Sequence, residues 1–404
     1  MPGSHSSARN PIHIIDLFSG GGGFAAGFHS FSQADPRAAE FLPVAAVEFD
    51  RAAASTYAAN FESAYVHAND IASFDAHPFA SIVDVVVGGP PCQGFSQLGS
   101  GRPDDPRNLL WKEYLRVVAT IQPKVFVLEN VERFKQSPEF NALTAATEPG
   151  GPLDHYRLET GILNAADYGV PQARRRTIVI GTRNDLKPVI HPIPSHGKNP
   201  GLPYRSTDLT LFSAPDEAVL KPWEAVAGVF SRSAEKQITG TDLPRRSVEV
   251  LPGISVPGLY RTSELHVGRN PTALSLARYA AIPPGGNRYD LRGKAAVING
   301  REHKLSTASW DAHNSGSADV MGRLHIDRPS VTIRTEFFKP EKGRYLHPFN
   351  HRPITHFEAA LIQGFPEDYK WCGTKIEIAR QIGNAVPVGL ASAIAGAIHD
   401  RLRP

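Results

Sequence analysis

Between residues 12 and 183, five short apolar runs (12–18, 44–49, 82–87, 125–128 and 177–181) alternate with longer stretches (24–31, 51–60, 109–121 and 139–147) whose apolar residues recur at helical spacing. Runs of that length read as strands, and strands alternating with amphipathic helices read as a parallel, doubly wound α/β sheet with helices on both faces. Ligands of such sheets bind at the carboxyl ends of the strands. The residues that follow each run are therefore the ones that carry chemistry.

After about residue 186 the texture changes. Proline, glycine and polar residues become frequent, and no regular alternation survives to about residue 347. This stretch reads as a second domain, rich in loops and short strands. Regular patterning returns at 355–363 and 388–401, both helical. The expected organisation is a tail over 1–10, a first domain built from 11–187 and 347–404, and a smaller irregular domain over 188–346.

With 41% hydrophobic and 21% charged residues, the composition excludes disordered and fibrous classes. Only Cys92 and Cys372 are present, without metal-ligand spacing, so no disulfide framework or metal centre is expected, and a reducing compartment is. No signal-peptide core or membrane-length apolar run occurs, which points to a cytoplasmic protein with no membrane partner. The net charge of +3 suits a polyanionic partner but is shared by many metabolic enzymes.

The first strand ends in Asp16-Leu17-Phe18-Ser19-Gly20-Gly21-Gly22-Gly23-Phe24. Glycines there let backbone amides approach a ligand, and the helix start adds donors. Such a turn serves dinucleotides as well as adenosylmethionine, and its spacing is not G-x-G-x-x-G. At the end of the second strand, Glu48 is placed to bind ribose hydroxyls and Phe49 to stack on adenine. Asp70, followed by Ile71, is placed to accept from the adenine amino group, with a helix N-cap as the bland alternative.

The segment Gly88-Gly89-Pro90-Pro91-Cys92-Gln93-Gly94-Phe95-Ser96 follows the apolar strand directly. Its glycines and prolines force a rigid loop that holds Cys92 at the active edge of the sheet, where a nucleophile belongs and a structural thiol does not. The next strand brings Glu129-Asn130-Val131 to the same edge, and Gln172-Ala-Arg174-Arg-Arg176 precedes the last one. A solvated acid and a solvated basic turn are the bland alternatives for these two.

Taken together, these motifs resemble the family of DNA cytosine-5 methyltransferases. The match extends to Arg352-Pro-Ile-Thr355-x-x-Glu358, to Gln363-Gly-Phe365-Pro366 and to Gln381-Ile-Gly-Asn384-Ala385-Val386-Pro387, six blocks in order across nearly the whole chain. The resemblance implies a Rossmann-like methyltransferase sheet, S-adenosyl-L-methionine as cofactor, no metal, and residues 188–346 as the target-recognition domain. It implies transfer of a methyl group to carbon 5 of cytosine in a specific duplex DNA sequence, with the base flipped out.

In that scheme Cys92 adds to C6 of the ring, Glu129 holds or protonates N3, and Arg174, with Arg176, clamps the base and keeps the thiolate ionised. The cofactor pocket would comprise Phe18, Ser19, Gly20, Gly22, Gly23, Phe24, Glu48, Phe49, Asp70, Ile71, Gly89, Pro90, Asn384, Ala385 and Val386. The segment after Ser96, including Arg102 and Arg107, is read as a loop closing over the base. Gln93, Ser96, Arg102, Arg107, Gln172, Arg261 and Arg269 are the expected DNA contacts, with His266 and Asn270 as further candidates. The expected state is a nucleoid-associated monomer, with a cognate restriction endonuclease encoded alongside as an admissible partner. An RNA methyltransferase with the same cysteine motif and a nicotinamide oxidoreductase remain the rival classes.

Overall fold

A computed structural model describes residues 10–35, 38–62, 64–91, 110–199, 219–312 and 319–403. A seven-stranded sheet forms its centre. The strands are β1 (Ile12–Leu17), β2 (Phe41–Val47), β3 (Tyr65–His67), β4 (Val85–Gly88), β5 (Val125–Val131) and β6 (Tyr156–Asn164), then the two-residue β7 (Gln172–Ala173) outside the sheet, and β8 (Arg175–Arg183). Their order is β3-β2-β1-β4-β5-β8-β6. The order reverses between β1 and β4, which opens a crevice beyond their carboxyl ends.

One expectation is corrected. The sheet is mixed, because β8 runs antiparallel to both β5 and β6. Only residues 165–174 join β6 to β8. A parallel connection needs a crossover of a dozen or more residues, so the chain turns back on itself instead.

Alternation along the strands sorts side chains between two helical layers. Ile12, Ile14, Val85, Val87, Val125, Val127, Ile178 and Ile180 face helix α1 (Gly23–Ala34) and the last helix, Val388–Leu402. Ile15, Leu17, Val86, Phe126, Leu128 and Val179 face α3 (Leu110–Ile121) and α4 (Pro138–Ala146). Both layers are dry, as the continuous apolar runs require. Helix α2 (Arg51–Asn60) begins at Asp50, whose carboxylate accepts from the backbone N–H of Ala52 and Ala53, and α4 begins at Ser137 with Pro138 in its first turn.

The texture change near residue 187 marks irregular backbone and not a break in the core. Val226, Phe230, Tyr260, Leu265 and Ile333 share one apolar cluster with Phe357, Ile362, Trp371 and Ile378, and with Ala25, Ala26 and Tyr57 of α1 and α2. Tyr260–Arg261 pairs antiparallel with Lys370–Trp371. Helix His356–Ile362 fulfils the expectation for 355–363, whereas helix Lys375–Asn384 was not foreseen. Both start on a Thr-x-x-Glu capping box, Thr355/Glu358 and Thr374/Glu377, so the second had a legible start signal.

Candidate active site

The glycine cluster folds as a close-fitting turn from β1 into α1. Phe18, Gly20 and Gly22 adopt positive φ values of 55°, 53° and 86°. A Cβ on Gly22 would lie 2.7 Å from the Tyr369 hydroxyl, and one on Gly23 would lie 2.7 Å from the Val386 carbonyl oxygen and 2.9 Å from its nitrogen. On Gly20 it would meet nothing within 4 Å. The turn is thus packed on one side by Ala385-Val386 from the far end of the chain and open on the other. Gly23→Ala is expected to destabilise the fold by about 1–3 kcal/mol by forcing Val386 away; an unchanged melting temperature would contradict that fit.

Polar atoms around the turn are arranged for a ligand. The Glu48 carboxylate accepts from the Gly20 N–H and the Asp50 N–H, both at 2.8 Å, which fixes it below the turn. Asp16 is buried, and its Oδ2 has no hydrogen-bond partner among the described residues; neither has the buried hydroxyl of Ser19. Burial, with the nearby charge of Glu48, pushes the Asp16 carboxyl well above its usual range. The Glu48 carboxyl is raised by burial too, against its backbone hydrogen bonds. Phe49 stands 73% exposed beside them. Asp70 caps the turn Ile71–Ser73 through one carboxylate oxygen, and Ile71 is buried against the α3 layer. Asn384 is exposed, while Ala385 and Val386 are buried. A buried carboxylate oxygen without a partner, an orphaned hydroxyl, an exposed aromatic and an open glycine turn together fit an adenosyl cofactor carrying a charged tail.

Two supporting residues gave no separate sequence signal as site residues. Tyr369 donates from its hydroxyl to the Gly21 carbonyl at 2.6 Å. Gln381 donates to the Cys372 carbonyl at 2.9 Å and leaves its own Oε1 without a hydrogen-bond partner among the described residues, against Gly21. Cys372 is buried, and burial pushes its thiol up to about 12, as befits an inert structural cysteine.

At the neighbouring strand ends the second half of the site comes together. Gly88 approaches β1 so closely that a Cβ would lie 2.7 Å from the Leu17 carbonyl oxygen. Asn130 donates to the buried Pro90 carbonyl at 2.9 Å, while its Oδ1 accepts from the Val131 N–H at 2.8 Å. The Glu129 carboxylate lies against Gly89, whose added Cβ would be 3.1 Å from Oε2. Glu129 and Arg176 project from the same face of paired strands, and Arg176 Nε sits 2.9 Å from Glu129 Oε1 in a largely buried ion pair that lacks hydrogen-bond alignment. Cys92, Gln93, Ser96, Arg102 and Arg107 lie outside the described residues.

Arg174 and Gln172 are corrected. Arg174 is only 3% exposed, and its Nη1 donates to the carbonyls of Ile333 and Gly383, each at 3.0 Å. Burial and the like charge of Arg176, opposed by Glu129, bring its guanidinium down to about 9. Gln172 is fully buried: its amide donates to Gln363 Oε1 at 2.7 Å and accepts from the Ile333 N–H at 2.9 Å. Both side chains are buried on protein partners, with only the Arg174 Nε lacking one among the described residues. Together they tie the strand Ser330–Val331, which pairs parallel with β7, to the loop that closes the cofactor turn. The physical reason is a break in the strand: Arg174 lies between β7 and β8, outside the ladder, and meets the interior of the returning chain, while Arg176 within β8 reaches Glu129.

Of the expected contacts in the irregular segment, Arg261 and Arg269 are exposed, the latter donating to the Phe338 carbonyl at 2.6 Å. Asn270 is exposed as well. His266 is buried 3.0 Å from the Thr355 hydroxyl and is excluded from base contact.

The comparisons with known proteins accord with this geometry. The sequence pattern of the family described as C-5 cytosine-specific DNA methylase matches residues 12–400. The chain is 33% identical over 395 residues to the type II methyltransferase M1.HphI of Haemophilus parahaemolyticus, covering 96% of this chain and 86% of that protein. It is 33% identical over 414 residues to M.XorII of Xanthomonas oryzae pv. oryzae, covering 96% and 85%. Among solved structures, an Escherichia coli prophage protein described as a DNA modification methyltransferase superposes with a TM-score of 0.62 at 22% identity, covering 97% of this chain and 100% of that one. The Dnmt2 methyltransferase of S. pombe superposes with a TM-score of 0.52 at 16% identity, covering 97% and 100%. With the family pattern matched over nearly the whole length and relatives 33% identical across it, the chain belongs to the C-5 cytosine-specific DNA methylases, as a DNA cytosine-5 methyltransferase.

Proposed function

We propose that the protein transfers the methyl group of S-adenosyl-L-methionine to carbon 5 of a flipped-out cytosine in a specific duplex DNA sequence, with Cys92 as the nucleophile. The observation that carries this is the junction at β4 and β5: Asn130 pins Pro90, two residues before Cys92, against a loop whose Gly89 faces Glu129. Cys92 follows this junction in the chain, and the acid held by Arg176 stands at the same strand ends, next to the glycine turn.

When bound, the cofactor supplies a methyl group made electrophilic by its sulfonium. Phe49, Glu48, Ser19 and the Gly20 turn would hold it there, with Asn384 to Val386 as the closing wall. Cytosine C5 is too weak a nucleophile to take a methyl unaided. The Cys92 thiolate forms a bond to C6, and the ring's C5–C6 electron pair becomes available at C5. Glu129 supplies a proton or hydrogen bond at N3, where negative charge develops. Arg176 orients Glu129. As C5 takes the methyl group the donor's S–CH3 bond would break and S-adenosyl-L-homocysteine would leave; C5 then loses its proton to a base, the C6–S bond breaks and the thiolate departs. Because a stacked base cannot reach this edge, it must be flipped, at a cost of a few kcal/mol.

Residues 188–346 are assigned the reading of target sequence, with Arg261 and Arg269 as candidate contacts. The type II names of the relatives support pairing with a restriction endonuclease, and a monomer associated with the nucleoid suffices for the reaction.

DNA with 5-fluorocytosine at the target tests the mechanism, since no C5 proton can leave. The wild type with cofactor should form a denaturation-resistant adduct, and Cys92→Ser should not. Adducts with both proteins, or with neither, would refute the role of Cys92. RNA and DNA oligonucleotides offered side by side decide the substrate.

A further inference from the structure

We propose that the hairpin of residues 295–304 reads base edges in the major groove of the target DNA; this rests on the duplex-DNA function proposed above. Ala295–Ile298 pairs antiparallel with Arg301–Lys304, and Asn299 and Gly300 turn the corner with positive φ values of 50° and 77°. That is the two-residue turn whose twist matches a hairpin's. The strands therefore form a regular ribbon, and a two-stranded ribbon fits the major groove, about 12 Å wide.

Its two faces are unlike. Ala296, Ile298 and His303 are half-buried, and Ala296 packs on a small separate core of Tyr279, Ile282, Leu291, Leu305, Met321 and Leu346. The opposite face carries Ala295, Val297, Glu302 and Lys304, all exposed, with Val297 directly across from Glu302 and Ala295 across from Lys304. Val297 is 75% exposed. Among the described residues, Arg301, Glu302 and Lys304 make no ion pair or side-chain hydrogen bond. The face thus offers an apolar group for a thymine methyl, an acceptor for a cytosine amino group and a cation for guanine O6 and N7, while Arg301, exposed on the other face across from Ile298, is left for a phosphate.

The ribbon also has a rigid base. Arg323, 1% exposed, donates to the carbonyls of Ile282, Tyr279, His347 and Asn350, which fixes the small core under the hairpin. The chain from that core then runs into the strand Ser330–Val331 beside β7, and on to Ile333, held by Arg174. Side chains on such a ribbon have fixed positions relative to the Arg176–Glu129 pair, which sequence readout requires.

The experiment uses the full chain on a duplex library randomised in sequence, with methylated positions read by bisulfite conversion. Wild type is compared with Val297→Ser, Glu302→Gln and Lys304→Met. Each substitution is on the surface, and the 5-fluorocytosine adduct on the preferred duplex reports that catalysis is intact. At least one variant should relax preference at a single base position by about 10- to 100-fold. If wild type selects a sequence and all three variants select the same one with equal strength, the hairpin is not the reader, while the proposed function stands. Uniform loss across all sequences also overturns it, because a base-reading side chain discriminates among positions. If wild type methylates RNA and not duplex DNA, both proposals fall.

Discussion

Glu129→Gln is expected to lower the rate of methyl transfer about 10²- to 10⁴-fold, the usual worth of a positioned general acid. The amide keeps the size of the carboxyl and cannot deliver a proton to N3. Arg176→Ala should lose a comparable amount although it touches no proton in transit, because it sits 2.9 Å from the Glu129 carboxylate and removing it leaves a largely buried acid unpaired. Residues that act as a unit are not additive, so the double substitution should cost little more than either alone. Single-turnover methylation with labelled methyl donor measures this. Multiplying effects in the double variant would show that Arg176 acts independently of Glu129. Arg174→Lys should behave differently, since Arg174 holds the carbonyls of Ile333 and Gly383 and not the acid.

The largest effect on stability is expected at Glu358. Its carboxylate is fully buried, bound in a fork by Arg352 at 2.8 and 2.6 Å, and further held by the Ser233 hydroxyl at 2.9 Å and the Thr355 N–H at 2.8 Å. Glu358→Ala strands the Arg352 guanidinium and should destabilise by about 3–5 kcal/mol. The pair Arg352→Met with Glu358→Met should recover most of that loss, because an apolar pair of similar volume leaves no uncompensated charge. Urea denaturation of the wild type and the two variants tests this; a double variant as unstable as Glu358→Ala would mean the pair stabilises beyond its mutual compensation.

The same region sets the acid limit of the fold. Burial alone would raise the Glu358 carboxyl, but the Arg352 hydrogen bonds and charge, with His347 and the Thr355 N–H, hold it below its ordinary value. A carboxyl lowered on folding contributes stability present above its unfolded value, about 4.3, and lost as pH falls through the folded one. His347 and His356, both buried, are brought down to about 4 by burial. Below about 6.5 the unfolded chain takes up these protons first, so the two contribute on the order of 3 kcal/mol each above that pH and lose it down to about 4. Stability should therefore fall in two stages, the histidines before Glu358, and His356→Gln should flatten the first stage.

What could be read in the sequence was local. Helix α2 was read to the residue, because Asp50 caps it and the alanine-rich run has no competing preference. Strand β6 was missed: it lies at the sheet edge with most of its residues half-exposed, so it lacks the fully apolar signature of the inner strands. The reversal of β8 was missed for a related reason, since periodicity reports that a strand is buried and says nothing of its direction.

The site divides the same way. The segment that carries Cys92, the strand that carries Glu129 and the glycine turn after β1 were legible in the sequence, because each depends on a few contiguous residues. The roles of Arg174 and Arg176 were decided only by the tertiary structure, although they stand two residues apart in one motif. Whether a guanidinium meets a carboxylate at a strand end or two carbonyls of a returning chain depends on contacts between residues 159 and 209 positions away. No local pattern encodes them. Likewise, that Val386 closes on Gly23 and that Gln172 is buried follow from where the last two helices pack, and that is settled by the whole core.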